Sequence, residues 1–225
     1  MRINYKNGCP RMNQIKTTFI FIILCLLSKV CIAKEDYIDD PSYCEISESA
    51  INDYEPVSFK TSNNLLRQAG QEVLFCGEAI IVYGKVLDQN CVPVSDAKIY
   101  TWQADCNGKY PYKALKVNVV DKELMDEKSN LTFVGNGTAT TNNKGEFFFV
   151  TIYPPSMHGY RPHLNVRVEH FAMESLQTRL VLNGKMVKTP QNDPDLASIY
   201  NAAAKNGMKI YKFEIVIPGT TNKHY

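Results

Sequence analysis

The sequence has no excess of charge of either sign: 25 Lys and Arg stand against 23 Asp and Glu, a formal net charge of +2. A nucleic-acid binder works through a basic patch or stripe, and none is supplied here. Internal repeats and low-complexity tracts are missing, which removes solenoid and disordered architectures. There is no Cys-x-x-Cys, and the cysteine spacings do not resemble a zinc site. No apolar run is long enough to span a bilayer. What the chain does have is aromatic residues, with 13 Tyr and 10 Phe, and these favour strands over helices. Apolar residues at 44% and charged residues at 21% are ordinary for a globular protein. The 225 residues suffice for one domain of about 150–200 residues plus an export signal.

The N-terminus carries the processing signal. Lys16 precedes an apolar run, Thr17 to Leu27, which leads into Ser28-Lys29-Val30-Cys31-Ile32-Ala33. A short basic region, a short apolar core and a small residue before Lys34 make a secretory signal peptide over residues 1–33. Cleavage is expected after Ala33; the alternative is an uncleaved membrane anchor. A start at Met12 gives a compact signal, whereas Met1 leaves a long polar leader. Cys25 and Cys31 follow the bulky Leu24 and Val30, which makes them weak lipid-attachment candidates. The expected product is exported, periplasmic or secreted, with no membrane span after cleavage.

Cleavage there removes Cys9, Cys25 and Cys31 and leaves Cys44, Cys76, Cys91 and Cys106. An even number of cysteines in an exported chain points to disulfides, with three pairings open. The first choice is Cys91 with Cys106, flanking one predicted strand. Cys44 with Cys76 would then tie the N-terminal arm to the domain.

Residues 34–62 are polar and irregular and read as that arm. Strand patterns then recur at 79–87, 98–102, 138–140, 146–152, 165–171, 178–182 and 209–217. Turn sequences separate them, among them Asp88-Gln89-Asn90, Asn107-Gly108 and Asn142-Asn143-Lys144-Gly145. One helix is expected, opened by Asp193-Pro194-Asp195, running from Leu196 to Lys205, and closed by Asn206-Gly207. Many short strands with little helix predict an all-β fold, a single β-sandwich. Pro111 to Asn130 has no clean periodicity, and loops of that length are often functional. Asn130-Leu131-Thr132 and Asn136-Gly137-Thr138 match glycosylation sequons, which matter only in a host that glycosylates.

The strand patterns also carry a resemblance. Gly77 to Asp88 looks like the opening strand of the intradiol ring-cleavage dioxygenases, and is most similar to the protocatechuate 3,4-dioxygenase branch. Pro93-Val94 with Ala97 to Asp105 resembles that family's "PV…A.VEIWQAN" run. Phe133-Val134-Gly135-Asn136-Gly137 and Thr141 to Pro154 resemble "F.G.G…TD..G.Y.F.TI.P". Asn192-Asp193-Pro194 and Phe213 to Ile217 also fit. The similarity runs in order over residues 63–219, leaving 220–225 as a C-terminal tail, and it implies the intradiol dioxygenase sandwich with its single short helix near the C-terminus.

The resemblance further implies a non-haem Fe(III) held by two Tyr and two His, with an Arg nearby. Ferric iron is a hard acid that two phenolates neutralise well, and an Arg stabilises charge developing on the substrate. The first Tyr falls eight residues after Trp102, on Tyr110. The rest sit in the pattern T-I-x-P-G-x-Y-x-G-R-x-x-H-I-H, which aligns from Thr151 without a gap. His163 then takes the first His. Met157 stands for the second Tyr, Tyr160 for the Arg and Asn165 for the second His, while Pro155 replaces a Gly. Two of the four ligand positions, Tyr110 and His163, are therefore retained. Substitute ligands are His158 and Tyr160. Arg161, one place along, could supply the guanidinium, although that shift turns it to the other face of an extended segment. His163 also reads as a strand-end histidine hydrogen-bonded within the sandwich. His170 and His224 read as surface residues.

Two readings stay open. One is an exported, catalytically degenerate member that binds an aromatic small molecule or serves as a partner subunit or homo-oligomer, holding iron weakly or not at all. The other is an active Fe(III) enzyme that cleaves a catechol-type ring with O2 through substituted ligands.

Overall fold

The computed structural model describes residues 43–51, 54–128, 131–157, 159–182, 199, 203 and 205–219. Seven strands follow one another: β1 (Ala79–Leu87), β2 (Lys98–Trp102), β3 (Asn136–Thr140), β4 (Glu146–Ile152), β5 (His163–His170), β6 (Met173–Val181) and β7 (Lys209–Val216). They form two sheets. One is three-stranded in the order β4-β1-β7, and the other is four-stranded in the order β3-β2-β5-β6. The chain is thus nearly all β, as its aromatic and β-branched runs require. Val119–Leu124 forms a 3-10 helix inside the stretch without periodicity. Of the expected C-terminal helix, Ile199, Ala203 and Lys205 are helical, and the rest lies outside the described residues.

Alternation along the strands sends one face of each sheet into a shared core. Ile80, Val82, Val86, Phe147, Phe149 and Ile215 meet Ile99, Leu164, Val166, Val168 and Leu180 there. Strand β1 is the central strand of its sheet and is apolar on both faces. Its outward residues Ile81 and Tyr83 pack with Ile210, Ala203 and Ile199. The edges β3 and β4 are tied together by the segment before β1. Asn63 O accepts from Val150 N, Leu65 N donates to Val150 O, Leu65 O accepts from Val134 N, and Ser62 O accepts from Thr138 N. Val150 and Thr138, on these edges, are thereby paired within the chain.

Gly84 shows how tight this core is. It lies opposite Phe147 in the β1–β4 ladder. A Cβ there would sit 2.2 Å from the ring's Cζ, so the ring fills the space a side chain would need. Gly84→Val should lower stability by about 1–3 kcal/mol, the usual cost of overpacking. A urea midpoint unchanged from the native protein's would refute this account of the β1–β4 contact.

Both disulfides form, but with exchanged partners: Cys44 bonds Cys91, and Cys76 bonds Cys106. The expected Cys91–Cys106 and Cys44–Cys76 pairs are corrected by strand direction. Cys76 precedes β1 and Cys106 follows β2. The chain runs out along β1 and back along β2, so these two meet at one end, where a Cβ on Gly77 would lie 3.2 Å from that of Cys106. Cys91 sits in the turn after β1, a strand length of about 30 Å away. There it meets the arm, whose Cys44 N donates to Gln89 O. Buried Asp88 and Asp105 stabilise the two cysteine-bearing turns alike. Asp88 accepts from the amides of Asn90 and Val92, and Asp105 from those of Asn107 and Lys109. Of the two sequons, Asn136 is 1% exposed. Its side chain bonds Lys60 N and Val134 O, which closes it to sugar attachment in the folded chain. Asn130 lies outside the described residues.

Candidate functional site

Strand β2 ends at Trp102, and the chain then turns through Asp105 and the Cys76–Cys106 bridge to reach Tyr110. Three restraints fix that tyrosine: the disulfide, the Asp105 carboxylate, and backbone bonds from Tyr110 N to Leu124 O and from Asp126 N to Tyr110 O. Its ring is 5% exposed. A second loop, between β4 and β5, makes a tight turn in which Met157 and Tyr160 exchange backbone hydrogen bonds. Gly159, at φ +80°, supplies the left-handed residue this turn needs. Strand β5 then begins at His163, and Asn165 points to the same face two residues on.

These elements converge. Tyr110, Met157, Tyr160, His163 and Asn165, the residues that the resemblance sets at the ligand and Arg positions, line one cavity of about 60 Å³ together with Tyr54 and Arg179. The sequence-level alignment therefore places in one cleft residues that lie up to 55 positions apart in the chain, Tyr110 to Asn165. Arg161 is exposed and does not line the cavity. His158, the other suggested substitute, lies outside the described residues, as does His224. His170 packs at a tilt of 40° against the exposed Phe171 at the β5–β6 turn, with ring centroids 4.4 Å apart.

Two cavity residues were not singled out from the sequence. Arg179 stands opposite Asn165 in the β5–β6 ladder. Its guanidinium lies 4.3 Å from the centroid of Tyr160, and its Nη2 donates to Ile51 O at 2.6 Å. Tyr54 comes from the arm and stacks on Tyr110, with centroids 4.7 Å apart and planes 27° apart. The arm is held over this region by Glu55, which pairs with Arg167 at 2.7 Å, and by Phe59, packed edge-on against Trp102. An arm was expected, but nothing in its polar sequence marked which residue would reach the cleft.

The protonation state follows from the surroundings. His163 Nδ1 lies 2.7 Å from Arg161 O. A proton on Nδ1 serves that carbonyl and leaves Nε2 as a lone pair. Burial lowers the pKa of His163, the bond to the Arg161 carbonyl works against this, and the Arg179 charge lowers it further. The imidazole is thus neutral near pH 7. Tyr112, behind Tyr110, has its pKa raised by burial, with Tyr110 and Glu55 adding to the effect, and its hydroxyl is buried without a partner. Among the described residues, Asn165 Oδ1 and Arg179 Nε likewise are buried and have no hydrogen-bond partner. Among the described residues, no group of three His, Cys, Asp or Glu is placed to hold a metal ion.

Comparison with known proteins gives a consistent family. A family model described as Dioxygenase matches residues 52–186. A Rickettsia conorii protein named as a candidate dioxygenase is 43% identical over 208 residues, covering 92% of this chain and 99% of the relative. The protocatechuate 3,4-dioxygenase beta chain of Burkholderia cepacia is 36% identical over 78 residues, covering 35% of this chain and 30% of that one. Among solved structures, an intradiol ring-cleavage dioxygenase from Tetranychus urticae superposes with a TM-score of 0.53 at 18% identity, covering 80% of this chain and 98% of that one. At that identity, the likeness shows the fold.

Proposed function

Because the chain belongs to the dioxygenase family, we propose that it is an exported member of the intradiol type whose iron site is catalytically degenerate, and that its cleft serves as a binding site. The observation that carries this reading is the chemistry of the seven cavity residues. Ferric iron requires hard anionic donors and imidazoles. The cavity offers the phenols of Tyr54, Tyr110 and Tyr160, one imidazole from His163, a thioether from Met157 and an amide from Asn165. It also contains a permanent cation, Arg179. A guanidinium inside the cavity repels a trivalent ion, and a thioether is a poor partner for one. The residues present do not fit ferric iron, and no reaction step is drawn through it.

The rival reading, an active enzyme with substituted ligands, draws support from Tyr160 as a second phenol and from the unpaired Asn165 Oδ1. An iron assay and a visible spectrum of the purified protein separate the two. Well under one iron per chain, no charge-transfer band, and no cleavage of catechol or protocatechuate are expected. Stoichiometric iron with ring cleavage overturns the degenerate reading.

Export rests on the signal-like N-terminus and on the two disulfides, which suit an oxidising compartment. Among the described residues no helix is long and apolar enough to cross a membrane. N-terminal sequencing of protein recovered outside the cytoplasm should begin at Lys34. A mature chain that retains Thr17 to Leu27 sinks that expectation.

A further inference from the structure

Arg179 is half-buried and lines the cleft, and among the described residues no carboxylate pairs with it. Its Nε is fully enclosed and makes no hydrogen bond. Its one hydrogen bond among the described residues is to a neutral carbonyl, Ile51 O. The ion pairs there join Arg167 to Glu55 and Glu169, and Lys209 to Glu78; none reaches Arg179. A guanidinium offers five donors in a planar fork that matches a carboxylate. Stacking on Tyr160 holds that fork in place.

A second, independent observation lies beside it. Asn165 is 3% exposed, lines the same cavity, and has an amide oxygen with no donor. An amide can turn to present its NH2 instead, which an anion would satisfy. The remaining walls, Tyr54, Tyr110 and Met157, are aromatic or apolar. The open cleft of about 60 Å³ has room for the head of a ligand. Tyr160, 51% exposed, marks the side on which the rest would emerge.

We propose that the cleft binds a monoanionic carboxylate without metal, with the guanidinium of Arg179 as the charge partner and the Asn165 amide as the second polar contact. The inference rests on the degenerate reading of this same site, since it puts a fixed organic cation where the family would place iron. It also predicts a ligand that the reaction chemistry of the family does not require: the carboxylate itself is the recognised group, and no ring hydroxyl is needed. Among the described residues that line the cavity, Arg179 is the one Lys or Arg, so a single negative charge suffices.

The test is titration calorimetry of the purified protein in a buffer free of carboxylate and phosphate, with benzoate, acetate and the neutral isostere benzamide. Trp102 clusters with Tyr110 and Tyr112, and its fluorescence gives a parallel readout. Benzoate should bind at least about 10-fold more tightly than benzamide, since the charge-assisted contact is lost with the charge. Arg179→Gln should weaken benzoate roughly 10- to 100-fold, while Arg179→Lys should keep part of the affinity. Acetate binding would show that the carboxylate suffices, and benzoate binding alone would show that the aromatic walls contribute; either upholds the site. Equal binding of benzoate and benzamide, no binding of either carboxylate, or benzoate affinity unchanged in Arg179→Gln overturns it. The ligand comparison on the unaltered protein stands even if a variant fails to fold. An iron assay on the same sample keeps the two ideas apart: stoichiometric iron sinks the degenerate reading, whereas iron-free protein indifferent to ligand charge sinks only this one.

Discussion

Replacing Met157 by Tyr, Tyr160 by Arg and Asn165 by His, together with Arg179→Gln, should raise bound iron towards one per chain and bring up a tyrosinate-to-iron charge-transfer band. The first three changes return the donor set the family pattern specifies, at positions that already line one cavity. The fourth removes a cation from that cavity. Leaving Arg179 in place should give markedly less iron, because like charges within a few ångströms in a partly buried site repel by about 4 kcal/mol per unit charge product at an effective dielectric constant near 20. Arg at position 160 supplies a charge aimed at the reacting substrate, and such a contact is commonly worth a factor of about 100–1,000 in rate. The four changes act on one site, so their effects need not add. Iron content by elemental analysis and the visible spectrum are the readouts. If the triple variant with Arg179 retained binds as much iron as the quadruple, then the guanidinium is not the obstacle described here.

Breaking the two disulfides should have the other large effect. They span sequence separations of 47 and 30 residues. On the chain-entropy model each closure is worth about 4 kcal/mol, a large share of the roughly 5–15 kcal/mol that holds a typical domain folded. Replacing Cys76 and Cys106 by Ser should cost that stability and also loosen the 105–110 loop that fixes Tyr110. Replacing Cys44 and Cys91 should instead free the start of the arm that brings Tyr54 to the cleft. Urea unfolding measures the first effect, and the near-ultraviolet signal of the tyrosine cluster measures the second. Non-reducing peptide mapping should yield Cys44 linked to Cys91 and Cys76 linked to Cys106. A peptide joining Cys91 to Cys106 would contradict the topology itself.

The strands were legible because their signal is local. A run such as Ala79 to Leu87, bounded by Asp88-Gln89-Asn90, states its own conformation, and β1, β2 and β4 have the bounds the pattern gives. Strand β6 reaches further back than the Thr178 to Leu182 pattern, to Met173. Its start carries the exposed Glu174 and Ser175 beside Met173 and the buried Leu176, so pairing with β5 rather than local pattern reveals it. The 3-10 helix at Val119–Leu124 carries no periodicity at all, being held by the Tyr110–Met125 bridge rather than by an apolar face.

The sequence by itself determined the fold class and the existence of two disulfides among Cys44, Cys76, Cys91 and Cys106, because each is a statement about residue type and order. Tertiary structure alone decided who meets whom. The cysteine partners depend on the chain returning along β2, in the facing sheet, to the end where β1 began. Arg179 enters the cleft because a bulge between Val168 and His170 sets the register that puts it opposite Asn165. A slip of one residue would turn its side chain to the other face. Tyr54 arrives because Glu55 and Arg167, 112 positions apart, pair across the sheet. Contacts between distant segments leave no trace in local pattern, and the charge of this cleft is made by them.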